Sequence, residues 1–456
     1  MFREDFVWGV SSSAYQIEGR LPEDGAGTCI WDTFREQGNV FENHNTDDGT
    51  KHLEHYREDF ALMKELGIRS YRFSISWARL MPDGKHVNDK AVTLYRDMIL
   101  EMKKNGIEPF LTMYHWELPQ ALQDEGGWLN DEIVTYFAQY AKVVAEHFTD
   151  LCDKIFTLNE PQCFLGLANT GANGHAPGVA LPHKDVFHLI HNALKAHGAA
   201  VIALRKYAKG KILVGYAPTS SLFIPASDKP EDIEAARKSY MGFPKDMARW
   251  SWNVSWYSDP VFLGHYPEEG MKRFAKYLPE ITKEDMELIS QPLDFMGQNI
   301  YNGVFVKAGE NGEVIQLPDK LGAPKTQANW PVTPECMYWG VKFLYERYHM
   351  PIYITENGMA CHDLVDADGG VHDGSRITFL DQYLSQLQRA VSEGIDVRGY
   401  FEWTFLDNYE WAQGFSKRYG LVYVDYETGR RIPKDSAYWY REVCQSNGRN
   451  LSINQK

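Results

Sequence analysis

Three times the chain ends an amphipathic helix on a glycine and passes at once into an apolar run, at Leu66-Gly67-Ile68, Asn105-Gly106-Ile107 and Glu393-Gly394-Ile395. A glycine there supplies the left-handed residue that stops a helix, and the strand starts on the next residue. A helix coupled so tightly to the strand that follows it is half of a βα repeat, and such repeats build parallel sheets.

The helical stripes before these joints are Phe60, Met63 and Leu66; Val92, Tyr95, Met98, Ile99 and Met102; and Phe379, Tyr383, Leu387, Ala390 and Val391. Their spacing is that of a one-sided helix, and the runs after them (68–75, 108–114 and 397–403) read as strands. Phe6-Val7-Trp8-Gly9-Val10 opens the chain as a short strand. Apolar runs before Glu160, at 212–216, at 293–300 and at 351–355 add four more, with helices over 133–148 and 186–207. Eight strands alternate with helices, and no Gly-x-Gly-x-x-Gly opens a helix. The pattern therefore predicts a single (β/α)8 barrel spanning 1–456 rather than a dinucleotide-binding sheet. Four long segments (20–45, 169–183, 219–247 and 304–334) each follow the carboxyl end of a strand and are expected to be irregular walls of a deep pocket.

Two strands end in the same way. Lys154-Ile155-Phe156-Thr157-Leu158-Asn159-Glu160-Pro161 and Pro351-Ile352-Tyr353-Ile354-Thr355-Glu356-Asn357-Gly358 are apolar runs that stop at an amide, a carboxylate and a residue unsuited to extending the ladder. In one barrel both ends face one mouth, so Glu160 and Glu356 are expected to share a site. Paired carboxylates suit glycoside hydrolysis, in which one attacks the sugar while the other moves the proton. A divalent-metal site or an aldolase or isomerase barrel would also use such acids. His115 is followed by Trp116 with no further histidine at a chelating offset, which argues against metal, and no cofactor is implied. Other strand ends carry Thr112-Met113-Tyr114-His115-Trp116, Gly297-Gln298-Asn299-Ile300-Tyr301 and Tyr400-Phe401-Glu402-Trp403. Neutral donors and acceptors interleaved with aromatic faces fit an uncharged polyhydroxylated ligand.

Composition narrows the partners. The 456 residues include 13 Trp and 26 Tyr, and 47 basic against 62 acidic residues give a net charge of −15, which repels nucleic acid and anionic membranes. The six cysteines form no C-x-x-C pair and are expected to be reduced. The amino terminus is acidic where a signal peptide would be basic, and no 18-residue apolar stretch occurs, so a cytoplasmic location is expected.

Thr157-Leu158-Asn159-Glu160-Pro161 and Ile354-Thr355-Glu356-Asn357-Gly358 resemble the two signatures of glycoside hydrolase family 1, the retaining β-glycosidases that include β-glucosidases. The likeness runs through Phe6-Val7-Trp8-Gly9, Gln16-Ile17-Glu18-Gly19, the Tyr71-Arg72-Phe73-Ser74-Ile75-Ser76-Trp77 strand and Asp407-Asn408-Tyr409-Glu410-Trp411. It implies that Glu356 is the nucleophile and Glu160 the acid and later the base, in a double displacement on β-glucosides or cello-oligosaccharides. It further implies that Gln16, His115, Trp116, Asn159, Glu410 and Trp411 bind the sugar, that Trp403 stacks beneath it, and that Tyr301 bonds the nucleophile. Arg72 and Asn299 support the pair. Where most glucosidases of the family read Arg-Phe-Gly, this chain reads Ser416-Lys417-Arg418-Tyr419-Gly420, similar to the phosphate-binding segment of 6-phospho-β-glucosidases. Lys417 and Tyr419 therefore keep a phosphorylated sugar open as an alternative, although Glu410 is of the unphosphorylated kind. A barrel that binds sugar without cleaving it is a third alternative, and whether the chain forms a homo-oligomer is not decided by its sequence.

Overall fold

A computed structural model describes residues 1–171, 174–243 and 250–454. Its centre is a closed barrel of eight parallel strands: β1 Val7–Ser11, β2 Ser70–Ser74, β3 Glu108–Tyr114, β4 Lys154–Asn159, β5 Leu213–Ala217, β6 Phe295–Asn299, β7 Ile352–Asn357 and β8 Val397–Trp403. Closure is made by β1, which pairs with β8 from Val7↔Gly399 to Ser11↔Trp403 and with β2 at Val10↔Tyr71 and Ser11↔Arg72. The helices His52–Glu65, Asp89–Lys104, Ile133–Phe148, His183–Tyr207, Glu335–Tyr348, Gly374–Ser392 and Asp435–Ser446 lie between or after the strands. The β5–β6 connection is broken into Val254–Phe262, Glu268–Phe274 and Lys283–Ile289, helices that the periodicity did not reveal.

The three glycine joints are as expected, and they share one geometry. Gly67, Gly106 and Gly394 have φ of 71°, 76° and 89°. After each, the next residue's N–H reaches five residues back, as in Ile68 to the Met63 carbonyl at 2.9 Å, Ile107 to Met102 at 3.0 Å and Ile395 to Ala390 at 3.3 Å. Each is the Schellman closure, which satisfies the helix's last carbonyls and turns the chain directly into the barrel.

Beneath the mouth the barrel is filled by aromatic rings. Phe110, Phe156, Phe295, Tyr353 and Phe401 pack with Ala217 as a separate buried cluster. Rings of that size leave room for glycine only on facing positions: a Cβ on Gly9 would stand 2.6 Å from the Phe401 ring, and one on Gly215 would overlap Phe295. Burying each ring contributes about 1.5–3 kcal/mol and gives the site a rigid floor.

The expected irregular walls hold more structure than the sequence suggested. The 20–45 segment contains the helix Ile30–Glu36, and the polar stretch after β1 contains the short helix Ala14–Ile17. Segment 219–247 contains the strand Leu222–Pro225 and the helix Pro230–Met241, with 244–247 outside the described residues. Segment 304–334 carries the strands Gly303–Ala308 and Val314–Gln316, which join Leu222–Pro225 in a three-stranded side sheet. These strands are short, and their partners lie far away in sequence, so no local pattern announces them. Segment 169–183 stays irregular, with 172–173 outside the described residues. Among the described residues no helix is long and apolar enough to cross a membrane.

Candidate active site

Both glutamate-bearing strands are irregular where they deliver their acid. On β7 the pairing with β6 jumps from Ile354↔Gln298 to Glu356↔Asn299, and on β4 the pairing with β5 jumps from Phe156↔Gly215 to Asn159↔Ala217. Such irregularities re-aim a side chain at the end of a ladder. Glu160 itself has φ of 47°, and the chain then turns through Pro161 into the π-type turn Gln162–Gly166. Trp116 and Trp411, on two other loops of the mouth, also have positive φ, at 87° and 49°. Each such residue costs of the order of 1–3 kcal/mol, held by the surrounding packing.

The re-aimed acids open onto a cavity of about 680 Å³ lined by Glu160, Glu356, His115, Trp116, Tyr301, Trp403, Glu410, Trp411, Lys417 and Tyr419, among others. That volume suits a sugar with part of its aglycone. Arg72, Asn159, Asn299 and Gln16 stand behind this lining. Gln16 is spent locally: its amide donates to Asn408 Oδ1 at 3.2 Å and the Tyr409 carbonyl at 2.7 Å, and accepts from Ser13 Oγ at 2.6 Å. Glu402 and Gln298, which sit on the strand ends that suggested a polar lining, alternate away from the cavity and do not contribute to it.

The two acids have different partners. Glu356 Oε1 accepts from Arg72 Nη1 at 2.8 Å and Oε2 accepts from the Tyr301 hydroxyl at 2.8 Å. Arg72 is fully buried and fixed by further bonds to Ser11 Oγ, the Thr355 carbonyl and, at 2.6 Å, Asn159 Oδ1. Among the described residues Glu160 meets only neutral donors, Asn299 Nδ2 at 2.7 Å and Cys163 Sγ at 3.2 Å. Burial pushes Glu160 up to about 8, and the charge of Glu356 adds to that. Desolvation is the larger effect, because Glu160 is only 7% exposed. Burial also pushes Glu356 upward, but Arg72 and Tyr301 oppose it. When one proton is shared in this coupled pair, it rests on Glu160.

His115 adds a directed donor. Burial and the nearby Arg72 hold it well below its ordinary pKa, so the ring is neutral. Its Nε2 accepts from Asn159 Nδ2 at 3.1 Å, which puts the proton on Nδ1, a buried atom without a partner among the described residues. Glu410 is half-buried and feels the charge of both acids. Desolvation, then Glu356 and Glu160, push it up to about 8 against the opposing charge of Lys417, and its Oε2 has no partner among the described residues. The walls are aromatic: Trp411 packs on Trp116 with centroids 4.5 Å apart, and His115 stacks on Trp403 at 5.7 Å. Cys163, His175, Trp252, Asn302, Gln327 and Trp330 also line the cavity and were not anticipated. Of these only Cys163 left a sequence signal, as a polarisable side chain one turn beyond Glu160. The others sit on long connections whose approach to the mouth depends on packing. Among the described residues no group of three or more His, Cys, Asp or Glu side chains is arranged to hold a metal ion.

A family model described as glycosyl hydrolase family 1 matches residues 1–449. Beta-glucosidase A of Thermotoga maritima is 42% identical over 454 residues, covering 98% of each chain. A 1,4-beta-D-glucan glucohydrolase of Thermotoga neapolitana is 41% identical, covering 98% of this chain and 99% of that one. Among solved structures, the Thermotoga maritima beta-glucosidase in complex with glucoimidazole superimposes with a TM-score of 0.89 at 42% identity, covering 98% of this chain and 99% of that chain.

Proposed function

The chain belongs to glycosyl hydrolase family 1, and on that premise we propose that it is a retaining β-glucosidase that releases terminal non-reducing β-D-glucosyl residues from oligosaccharides and from aryl or alkyl glucosides. The observation that carries this reading is the unequal treatment of the two acids: Glu356 is held by a buried guanidinium and a phenol, Glu160 by an amide and a thiol. An ionised carboxylate is a nucleophile and a protonated one is an acid, so the two roles separate without any further group. Glu356 attacks the anomeric carbon while Glu160 gives its proton to the leaving oxygen. Water then hydrolyses the glycosyl-enzyme with Glu160 as base. His115, Glu410 and the Trp403 face hold the sugar, with Trp116 and Trp411 as its flanking walls. Arg72, Asn159 and Asn299 keep the pair in place, and Gln16 braces the loop that carries Glu410.

Rescue by azide tests the roles. Glu356→Gly should lose hydrolysis and, with azide, form the α-glucosyl azide. Glu160→Ala should give the β azide, with good leaving groups suffering less than poor ones. A β product from the Glu356 variant would remove the nucleophile assignment. In wild type, kcat/KM should follow a bell in pH whose acid limb belongs to ionisation of Glu356 and whose alkaline limb belongs to loss of the Glu160 proton.

The 6-phosphorylated sugar is the second reading, favoured by one observation: Lys417 and Tyr419 line the same cavity as Glu410. Glu410 pushed up to about 8 is neutral at pH 7, so it repels a phosphate less than a carboxylate would. The aryl β-glucoside should still be preferred, because Lys417 is the only cation among the lining residues given above. Glu410→Ser should move the kcat/KM ratio towards the 6-phosphate, and a wild type that prefers the phosphate would replace the main reading.

A further inference from the structure

One turn beyond Glu160 the chain lays a thiol against the carboxyl. Cys163 N donates to the Glu160 carbonyl at 2.9 Å, and this turn carries Sγ to 3.2 Å from Glu160 Oε2. The thiol is 3% exposed and lines the catalytic cavity. The other oxygen, Oε1, accepts from Asn299 Nδ2 at 2.7 Å. The orientation of that amide is fixed, since Asn299 Oδ1 accepts from Thr355 Oγ1 at 2.5 Å and Nδ2 also points at Asn159 Oδ1 at 3.2 Å. The stronger N–H donor aimed at Oε1 favours that oxygen as the bare acceptor over the one facing the weaker S–H. The proton of neutral Glu160 therefore sits on Oε2, the oxygen that faces the sulfur.

A thiol can donate or accept, weakly in both directions. We propose that Cys163 is a positioning residue for Glu160 that turns over with the proton, its sulfur accepting from Oε2–H in the resting acid and its S–H donating to Oε2 once the carboxyl is ionised. This rests on the reading of Glu160 as the acid and base. In the first step the Oε2 proton passes to the glycosidic oxygen, the C1–O bond breaks with its electron pair going to that oxygen, and a Glu356 oxygen bonds to C1. The S–H then rotates onto Oε2. In the second step water gives a proton to Oε2 while its oxygen bonds to C1, and the C1–Glu356 bond breaks with its pair returning to the carboxylate. No proton leaves sulfur. Burial and the adjacent Glu160 hold the thiol pKa well up, so it stays protonated throughout. A stronger fixed donor would bind the carboxylate too well and weaken the acid, whereas sulfur yields in both halves of the cycle.

The test compares wild type, Cys163→Ala, Cys163→Ser and Glu160→Ala on two chromogenic aryl β-glucosides, one with a good and one with a poor leaving group, across pH. In Cys163→Ala the ionised carboxyl loses a donor, so the alkaline limb of kcat/KM should move up by about half to one pH unit. Turnover of the good substrate, limited by the base step, should fall about three- to tenfold. Cys163→Ser, with a stronger donor, should move the limb downward and keep turnover within about twofold. A residue that only packs would lower turnover without moving the limb, so coincident limbs in wild type, Ala and Ser overturn the proposal. The Glu160→Ala profile separates the two claims. Loss of the alkaline limb there keeps Glu160 as the acid whatever Cys163 does, and its survival would remove the reading on which the thiol depends.

Discussion

Two groups of acids lie on either side of the carboxyl end of β8, and the protein treats them in opposite ways. On the cavity side, Glu160, Glu356 and Glu410 have, among the described residues, one guanidinium in contact, Arg72 on Glu356. Behind the strand, Asp363, Asp373 and Asp407 meet Arg376, Lys434 and Arg418. Lys434 reaches Asp363 at 2.6 Å and Asp407 at 2.7 Å, Arg418 reaches Asp407 at 2.6 Å, and Arg376 binds Asp363 at 2.7 Å as well as Asp373. Burial pushes Asp363 up, but Lys434 and Arg376 more than offset it and hold it below its ordinary range. In the cavity the opposing donors and charges are too weak to offset burial for Glu160 and Glu410, and both reach about 8. The paired cluster ties the loops after β7 and β8 to the helix Asp435–Ser446. The unpaired acids leave a proton available at neutral pH, at a cost in stability that the rest of the fold carries.

Variants on the two sides should therefore err in opposite directions. The largest effect is expected for Glu160→Gln, which should lower kcat/KM on a poor leaving group by about 10³- to 10⁴-fold while raising thermal stability near pH 7. Raised from 4.5 to about 8, Glu160 favours folding below its unfolded pKa, and that contribution is lost as pH climbs towards 8. The stability gain of the variant should accordingly be present at pH 7 and absent at pH 4. Thermal melts at both values check this, and an equal shift at each would show that the cavity acid is not strained.

Next comes Asp363→Ala, which leaves Arg376 and Lys434 short of a buried partner. It should cost about 3–5 kcal/mol in chemical denaturation while leaving the pH profile of the folded enzyme in place. Because Asp363 is held below 3.8, its contribution is present above that pH and lost as pH falls through the folded value. The destabilisation should shrink in acid, the reverse of the Glu160 trend. Smallest is Glu402→Leu. Glu402 shares the cluster's neighbourhood but has no hydrogen-bond partner on either oxygen among the described residues, and burial pushes it well above 4.5. Replacing it should stabilise by about 1–3 kcal/mol, more above neutral pH than below, with activity unchanged. A loss of stability would mean that Glu402 belongs to the paired set after all.

Much of this was legible in the chain. The Gly67, Gly106 and Gly394 joints, the strand that ends at Asn159-Glu160 and the one that ends at Glu356-Asn357 are all local statements, and the structure has the joints and strands where the sequence put them. Less legible were Cys163, read only as one of six scattered thiols, and Trp252 and Trp330, which sit on long connections. The side sheet was hidden too, since Leu222–Pro225 pairs with Gly303–Ala308 and neither segment declares its partner. The sequence by itself determined the barrel and the two acids, because a period of two or 3.6 and a residue at the end of a run are properties of neighbouring residues. Only the tertiary structure decided which acid keeps the proton. That depends on burial summed over every strand around the mouth, on a guanidinium supplied by β2 to an acid on β7, and on the lack, among the described residues, of a cation in contact with Glu160.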